Sequence, residues 1–103
     1  MKIKRGASIA GLSIKMRPAL VVADKLWKEH YVELVITAGL DGEHSAGSLH
    51  YYGQAVDMRT KYFRNTAEMK EVADELRRRL TAIDPHFQVI LHSTHIHVEY
   101  DDV

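Results

Sequence analysis

The chain has no cysteine. That absence removes a thiolate metal site, a thiol nucleophile and a disulfide framework together, so any metal must be held by histidine and carboxylate groups. Nor does either charge dominate: fourteen basic residues face fourteen acidic ones. With no net field to steer association, neither nucleic acid nor an anionic membrane surface is an expected partner. No apolar run approaches the length of a membrane span. The opening Met1-Lys2-Ile3-Lys4-Arg5 is followed by Gly6, Ser8, Gly11, Ser13 and Lys15, where a signal peptide needs an unbroken apolar core. The chain is therefore expected to be cytoplasmic as synthesised, with release to a cell wall requiring another route. There is no internal repeat or low-complexity stretch, and 103 residues suffice for one domain, residues 1–103, around a single core.

What the chain does have is histidine, gathered in two places. Five of its seven histidines fall in the stretch from His44 to Asp57 and in His92-Ser93-Thr94-His95-Ile96-His97-Val98-Glu99, and Asp57 follows His50 by seven residues. Imidazole and carboxylate concentrated in this way point to a zinc site. His30 and His86 lie outside both stretches and are expected to be surface or hydrogen-bonded residues.

Between these stretches the pattern alternates helix and strand. Residues 1 to 16 are irregular, a loop with room for a short strand. Pro18 suits the first turn of a helix, and Leu20, Ala23, Leu26 and Trp27 follow at helical spacing, predicting a helix from Pro18 to Glu29 with Trp27 in the core. Val32 to Thr37 reads as a largely buried strand, ended by the turn signals Ala38-Gly39 and Asp41-Gly42. A loop to Leu49 delivers His44 and His50. Gln54 to Arg59 is the second strand, whose two-residue period puts Ala55, Asp57 and Arg59 on one face. Gly53, just before it, is expected to serve close packing or an unusual backbone angle. Asn65 with Glu68 resembles a capping box, and Met69, Val72, Ala73, Leu76, Leu80 and Ile83 form the stripe of an amphipathic helix that Asp84-Pro85 ends. The charges from Lys70 to Arg79 are expected to be its solvated face. Phe87–Leu91 and His95–Tyr100 read as two strands joined by a turn. In the last one His95, His97 and Glu99 share a face that no apolar core would choose. The expected fold is α+β: a small, mostly antiparallel sheet with helices on one face and a zinc cleft on the other.

A catalytic zinc commonly uses three protein ligands and keeps a fourth position for water, whose pKa falls to roughly 7. His50, Asp57 and one histidine of the last strand could supply that set. At this point the residues resemble a known group. Ser48-x-His50-x-x-Gly53-x-Ala55-x-Asp57, followed by His95-x-His97, is similar to the zinc signature of the D-alanyl-D-alanine metallopeptidases, which include the murein endopeptidases and the hedgehog signalling domain. His44-Ser45 and Ser48-Leu49-His50-Tyr51 bring it especially close to the hedgehog version, and the order of elements agrees from about Pro18 to Tyr100.

The resemblance implies one zinc per chain, bound by His50, Asp57 and His97. It implies catalytic roles for His95 and His92 and substrate contacts for Ser48 and His44. The spacing His92-x-x-His95-x-His97 looks like the murein endopeptidases, whereas the carboxypeptidase and dipeptidase branches carry a glutamate where this chain has Thr94. A carboxypeptidase needs an arginine for the substrate's terminal carboxylate, and Arg17 and Arg59 are the candidates. Asp41 and Glu43 do not complete the acidic cluster of hedgehog domains, since Ala38 stands at one of its positions, so calcium is not expected. The expected activity is hydrolysis of peptidoglycan peptide bonds by a zinc metallopeptidase, a phage- or prophage-encoded one included. The alternatives are a non-catalytic, hedgehog-like binding module that keeps its zinc, and a structural component of a phage particle.

Overall fold

The computed structural model describes residues 1–39 and 53–102. In chain order the elements are β1 (Lys2–Ile3), a 3₁₀ turn (Ile14–Met16), α1 (Arg17–Glu29), β2 (Val35–Ala38), β3 (Ala55–Arg59), α2 (Thr66–Ile83), β4 (Phe87–Leu91) and β5 (His95–Tyr100). The strands form one sheet in the order β1-β2-β3-β5-β4, parallel only at β1–β2. The α+β expectation and its mostly antiparallel sheet are met.

Alternation builds the two faces. Val56 and Met58 of β3, Ile96, Val98 and Tyr100 of β5, and Phe87 and Val89 of β4 point into one cluster with Ala19, Ala23, Leu26 and Trp27 of α1 and Val72, Leu76 and Leu80 of α2. Trp27 is fully buried, and its indole N–H donates to the Arg59 carbonyl at 3.3 Å. Truncating such a side chain typically costs about 3–5 kcal/mol. The ion pairs on the outer side of α2, Arg78 with Glu75 and Arg79 with Glu75 and Glu29, are solvated, so water and salt screen them and they contribute little. The apolar face therefore decides the fold, and the charge run is the solvated face that the sequence suggests.

Three local devices set the element ends. Helix α1 closes with a Schellman motif, Val32 N–H to Trp27 C=O at 3.0 Å and Tyr31 N–H to Lys28 C=O at 3.0 Å. Tyr31 holds the left-handed position, φ 61°, that glycine usually takes. This motif takes Val32, which the sequence assigns to the start of a strand, and β2 begins at Val35 rather than Val32. Gly53 has φ +71°, and a Cβ there would lie 2.6 Å from the Gly11 carbonyl oxygen, so both expected reasons for a glycine operate. At the far end of β5, Asp84 accepts from the Tyr100 hydroxyl at 2.7 Å and from the His86 backbone and ring, tying the end of α2 to the last strand.

The start of α2 departs from the expected capping box. Asn65 caps as expected, its side chain accepting from the Glu68 N–H at 2.9 Å. The Glu68 carboxylate, however, does not return to Asn65. It accepts from the Arg64 N–H at 2.8 Å, from the Arg64 guanidinium, and meets the His30 ring at 3.1 Å. The backbone N–H of Arg64 is the largest cause that holds this carboxyl at about 2, with His30 next. A depressed carboxylate stabilises the fold above its ordinary pKa, 4.5 here, and that contribution drains as pH falls towards about 2. Denaturant titrations across that interval should show wild type losing stability faster than Glu68→Gln; equal slopes would mean that Glu68 is not what the acid removes.

Candidate metal centre

The polar face of the sheet is organised by the pairing of β3 with β5. Their antiparallel register places Asp57 directly opposite His97, Arg59 opposite His95 and Ala55 opposite Glu99. Because side chains alternate, Asp57, Arg59, His95, His97 and Glu99 share the face away from the helices. On the other side of β5, Ile90 and Gln88 of β4 stand opposite His97 and Glu99. A register irregularity between Ile36 and Ala38 of β2 lets the Thr37 hydroxyl donate to the Asp57 carbonyl at 3.4 Å.

The side chains then converge. His97 Nδ1 lies 2.8 Å from Asp57 Oδ1, and its other nitrogen, Nε2, lies 3.0 Å from Glu99 Oε1. His95 Nε2 approaches the second oxygen of Asp57 at 3.8 Å, and its Nδ1 is 3.1 Å from the Thr94 hydroxyl. The His92 ring, at the exposed turn, stacks on His95 at 4.8 Å and 31° and meets His97 edge-on at 6.3 Å. Exposure grades outward, 16% for Asp57 and His97 and 30% for His95. The hydrogen bond to Asp57 is the main reason His97 binds its proton more tightly than an ordinary histidine; partial burial opposes this, and Glu99 adds to it.

The structure thus brings together Asp57, His95, His97 and His92. Arg59 shares their face. Arg17 stands exposed at the start of α1, in the helical layer on the other side of the sheet. His44, Ser48 and His50, with Tyr51 and Tyr52, lie outside the described residues. Among the described residues, no three histidine or carboxylate side chains form a group that could hold a metal ion. The donor chemistry nonetheless suits one: Asp57 Oδ1 and His97 Nδ1 are an oxygen and an imidazole nitrogen 2.8 Å apart, near the edge of about 3.3 Å that zinc bonds of about 2.0–2.1 Å give a tetrahedron.

Glu99 is the residue that sequence reasoning passed over. It was placed on the right face without a role, and the only signal was its i+2 position after His97. With Nε2–H donating to Glu99, the lone pair of Nδ1 is left on the Asp57 side, so Glu99 selects the tautomer that could ligate there. No family model, curated protein or solved structure matches the chain.

Glu99→Leu should weaken zinc binding by roughly ten- to a hundredfold, the usual worth of such an outer carboxylate, while Glu99→Gln, which can still accept, should lose less. Competition with a chromogenic chelator measures both; equal affinity in Glu99→Leu and wild type would take Glu99 out of the site.

Proposed function

We propose that the chain is a zinc-dependent peptidase that hydrolyses peptide bonds of peptidoglycan, with the metal held by His50, Asp57 and His97. The single observation that carries the reading is the cross-strand pair Asp57–His97, 2.8 Å between ligating atoms, with a second imidazole, His95, on the remaining Asp57 oxygen. These two segments are the ones that carry the sequence signature. Bound zinc would supply Lewis acidity and a water acidic enough to ionise near neutral pH.

The protein's own groups divide the remaining work. Glu99 accepts from His97 Nε2 and fixes the ring's orientation, with Nδ1 turned towards Asp57. His95 Nε2 lies 3.8 Å from Asp57 Oδ2, and this nearness to the metal carboxylate supports His95 as the group that takes a proton from the attacking water. Thr94 can accept from His95 Nδ1–H, the tautomer that puts the ring's lone pair on Nε2. That hydroxyl occupies the position where the carboxypeptidase and dipeptidase branches carry glutamate, which supports histidine as the base in this chain. The stacking of His92 on His95 supports His92 as the second imidazole, the one that would meet a developing oxyanion or a leaving amine.

Endopeptidase action is favoured over strict carboxypeptidase action, because the spacing of His92, His95 and His97 matches the endopeptidase pattern. The non-catalytic binding module remains the second reading, since the same pair of motifs serves partner binding in hedgehog domains. Metal analysis and a muropeptide digest separate them. His97→Ala should lose zinc and melt at lower temperature. His95→Ala should keep zinc and lose turnover by roughly two to four orders of magnitude. Cross-linked muropeptide dimers should be split to monomers. Intact dimers with a terminal D-alanine released would indicate a carboxypeptidase; zinc bound and neither substrate touched would favour the binding module.

A further inference from the structure

Away from the polar face of the sheet, two tyrosine rings are left to solvent side by side with a cavity. Tyr31 is 98% exposed and Tyr62 59%, and both line a space of about 380 Å³ between the end of α1 and the connection from β3 to α2. Ligand pockets start at about 300 Å³, so the space suits a small molecule or one unit of a chain-like one. None of its lining residues belongs to the candidate metal centre.

Tyr31 stands there against the preference of its own backbone. Its φ of 61° is left-handed, where a bulky side chain is strained and glycine or asparagine is not. The ring is outside the core, so the fold gains nothing from tyrosine that glycine would withhold. A strained and exposed aromatic residue points to function. Tyr62 is turned outward by its neighbour: Phe63 is buried against Trp27 at 5.4 Å and meets the His30 ring edge-on at 6.0 Å, while Lys61 Nζ lies over the Tyr62 ring at 5.2 Å. Both backbone segments are also held. The Schellman closure fixes Tyr31, and Phe63 N–H to Thr60 C=O at 3.1 Å with Arg64 N–H to Glu68 at 2.8 Å fixes the other side. The two rings are therefore placed before a ligand arrives, which lowers the cost of binding one.

The polar lining decides what kind of ligand fits. Glu68 is paired with Arg64 at 3.0 Å and with His30 at 3.1 Å, and Glu29 with Arg79 at 2.8 Å. An ionic ligand would have to compete with these pairs. A neutral polyol would not, because a paired carboxylate keeps spare lone pairs and a paired guanidinium keeps spare N–H groups. The apolar C–H face of a sugar ring suits a tyrosine, and its hydroxyls suit such groups. Tyr31 and Val32 also line a cavity of about 470 Å³ with Met1, Lys28 and Glu33, so a ligand of more than one unit can continue across Tyr31.

We propose that this surface binds a neutral oligosaccharide, its rings stacked on Tyr31 and Tyr62 and its hydroxyls bonded to Glu29, His30 and Arg64. The site needs no metal and does not rest on the peptidase reading.

The test uses the full metal-free chain, the neutral trimers of N-acetylglucosamine, cellulose and starch, and the anionic trigalacturonate, each followed by NMR titration. At least one neutral trimer should shift the ring signals of Tyr31 and Tyr62 with a millimolar or tighter dissociation constant that salt leaves unchanged, and the trimer that binds best identifies the sugar. Tyr31→Gly should weaken this binding roughly tenfold or more, as loss of an aromatic anchor does, yet melt no lower than wild type, because glycine suits the left-handed position. Tyr62→Ala, a second exposed substitution, should weaken it severalfold. No shift with any neutral trimer, binding of trigalacturonate alone, or an affinity that survives both substitutions overturns the proposal. So does a Tyr31→Gly variant that melts well below wild type, since the tyrosine would then serve the fold.

Discussion

The register of β3 against β5 is the constraint on which the rest of the candidate site depends. A slip of one residue would turn Asp57 towards the helices and Val56 or Met58 towards water. The apolar face prevents this. Val56, Met58, Ile96 and Val98 are all fully buried, and each such side chain is worth roughly 1.5–3 kcal/mol of transfer free energy. Hydrogen bonds between partly buried groups such as Asp57 and His97 contribute about 0.5–1.5 kcal/mol net, or somewhat more where one partner is charged. The core therefore sets the geometry of the site, and the polar groups occupy positions that apolar packing has already fixed.

How far the sequence revealed this differs from element to element, for physical reasons. The last two strands were legible to the residue, because β5 alternates without a break and Asp84-Pro85 marks the end of the helix before them. Helix α2 was equally plain from its stripe and its Asn65 cap. Where a segment is held by backbone bonds to distant residues, the local pattern misled. The Schellman closure at Tyr31 is invisible because a tyrosine, not a glycine, takes the left-handed position. The short strand β1 rests on parallel pairing with β2, and two residues carry no period. Glu68 looked like half of a capping box, but a carboxylate near a helix start can satisfy any nearby N–H, and Arg64 and His30 together outcompeted Asn65.

The functional surfaces divide along the same line. Asp57, His95 and His97 were readable because the chemistry and the two-residue period coincide in one short stretch. The surface around Tyr31 and Tyr62 was not. Tyr31 lies past the end of α1 and Tyr62 past the end of β3, outside any period, and only the Schellman closure and the packing of Phe63 on Trp27 bring them to one cavity. A neutral sum also conceals local pairing: the carboxylates that line this cavity, Glu68 and Glu29, are taken up by Arg64 and Arg79.

One electrostatic feature ties β3 and β5 together in the candidate site. The His97 ring is held between two carboxylates, one on each nitrogen, so whatever occupies its Nδ1 side should be positive. Without metal that charge is a proton, which explains why His97 holds its proton more tightly than an ordinary histidine, with the Asp57 hydrogen bond the main cause. A raised histidine stabilises the fold below its ordinary pKa of 6.5 and loses that contribution as pH rises through the higher folded value. A divalent cation in the proposed reading competes with the same proton, so it would be favoured as the proton's own contribution fades. The sheet face thus gathers acids around one imidazole, Asp57 on one ring nitrogen of His97 and Glu99 on the other.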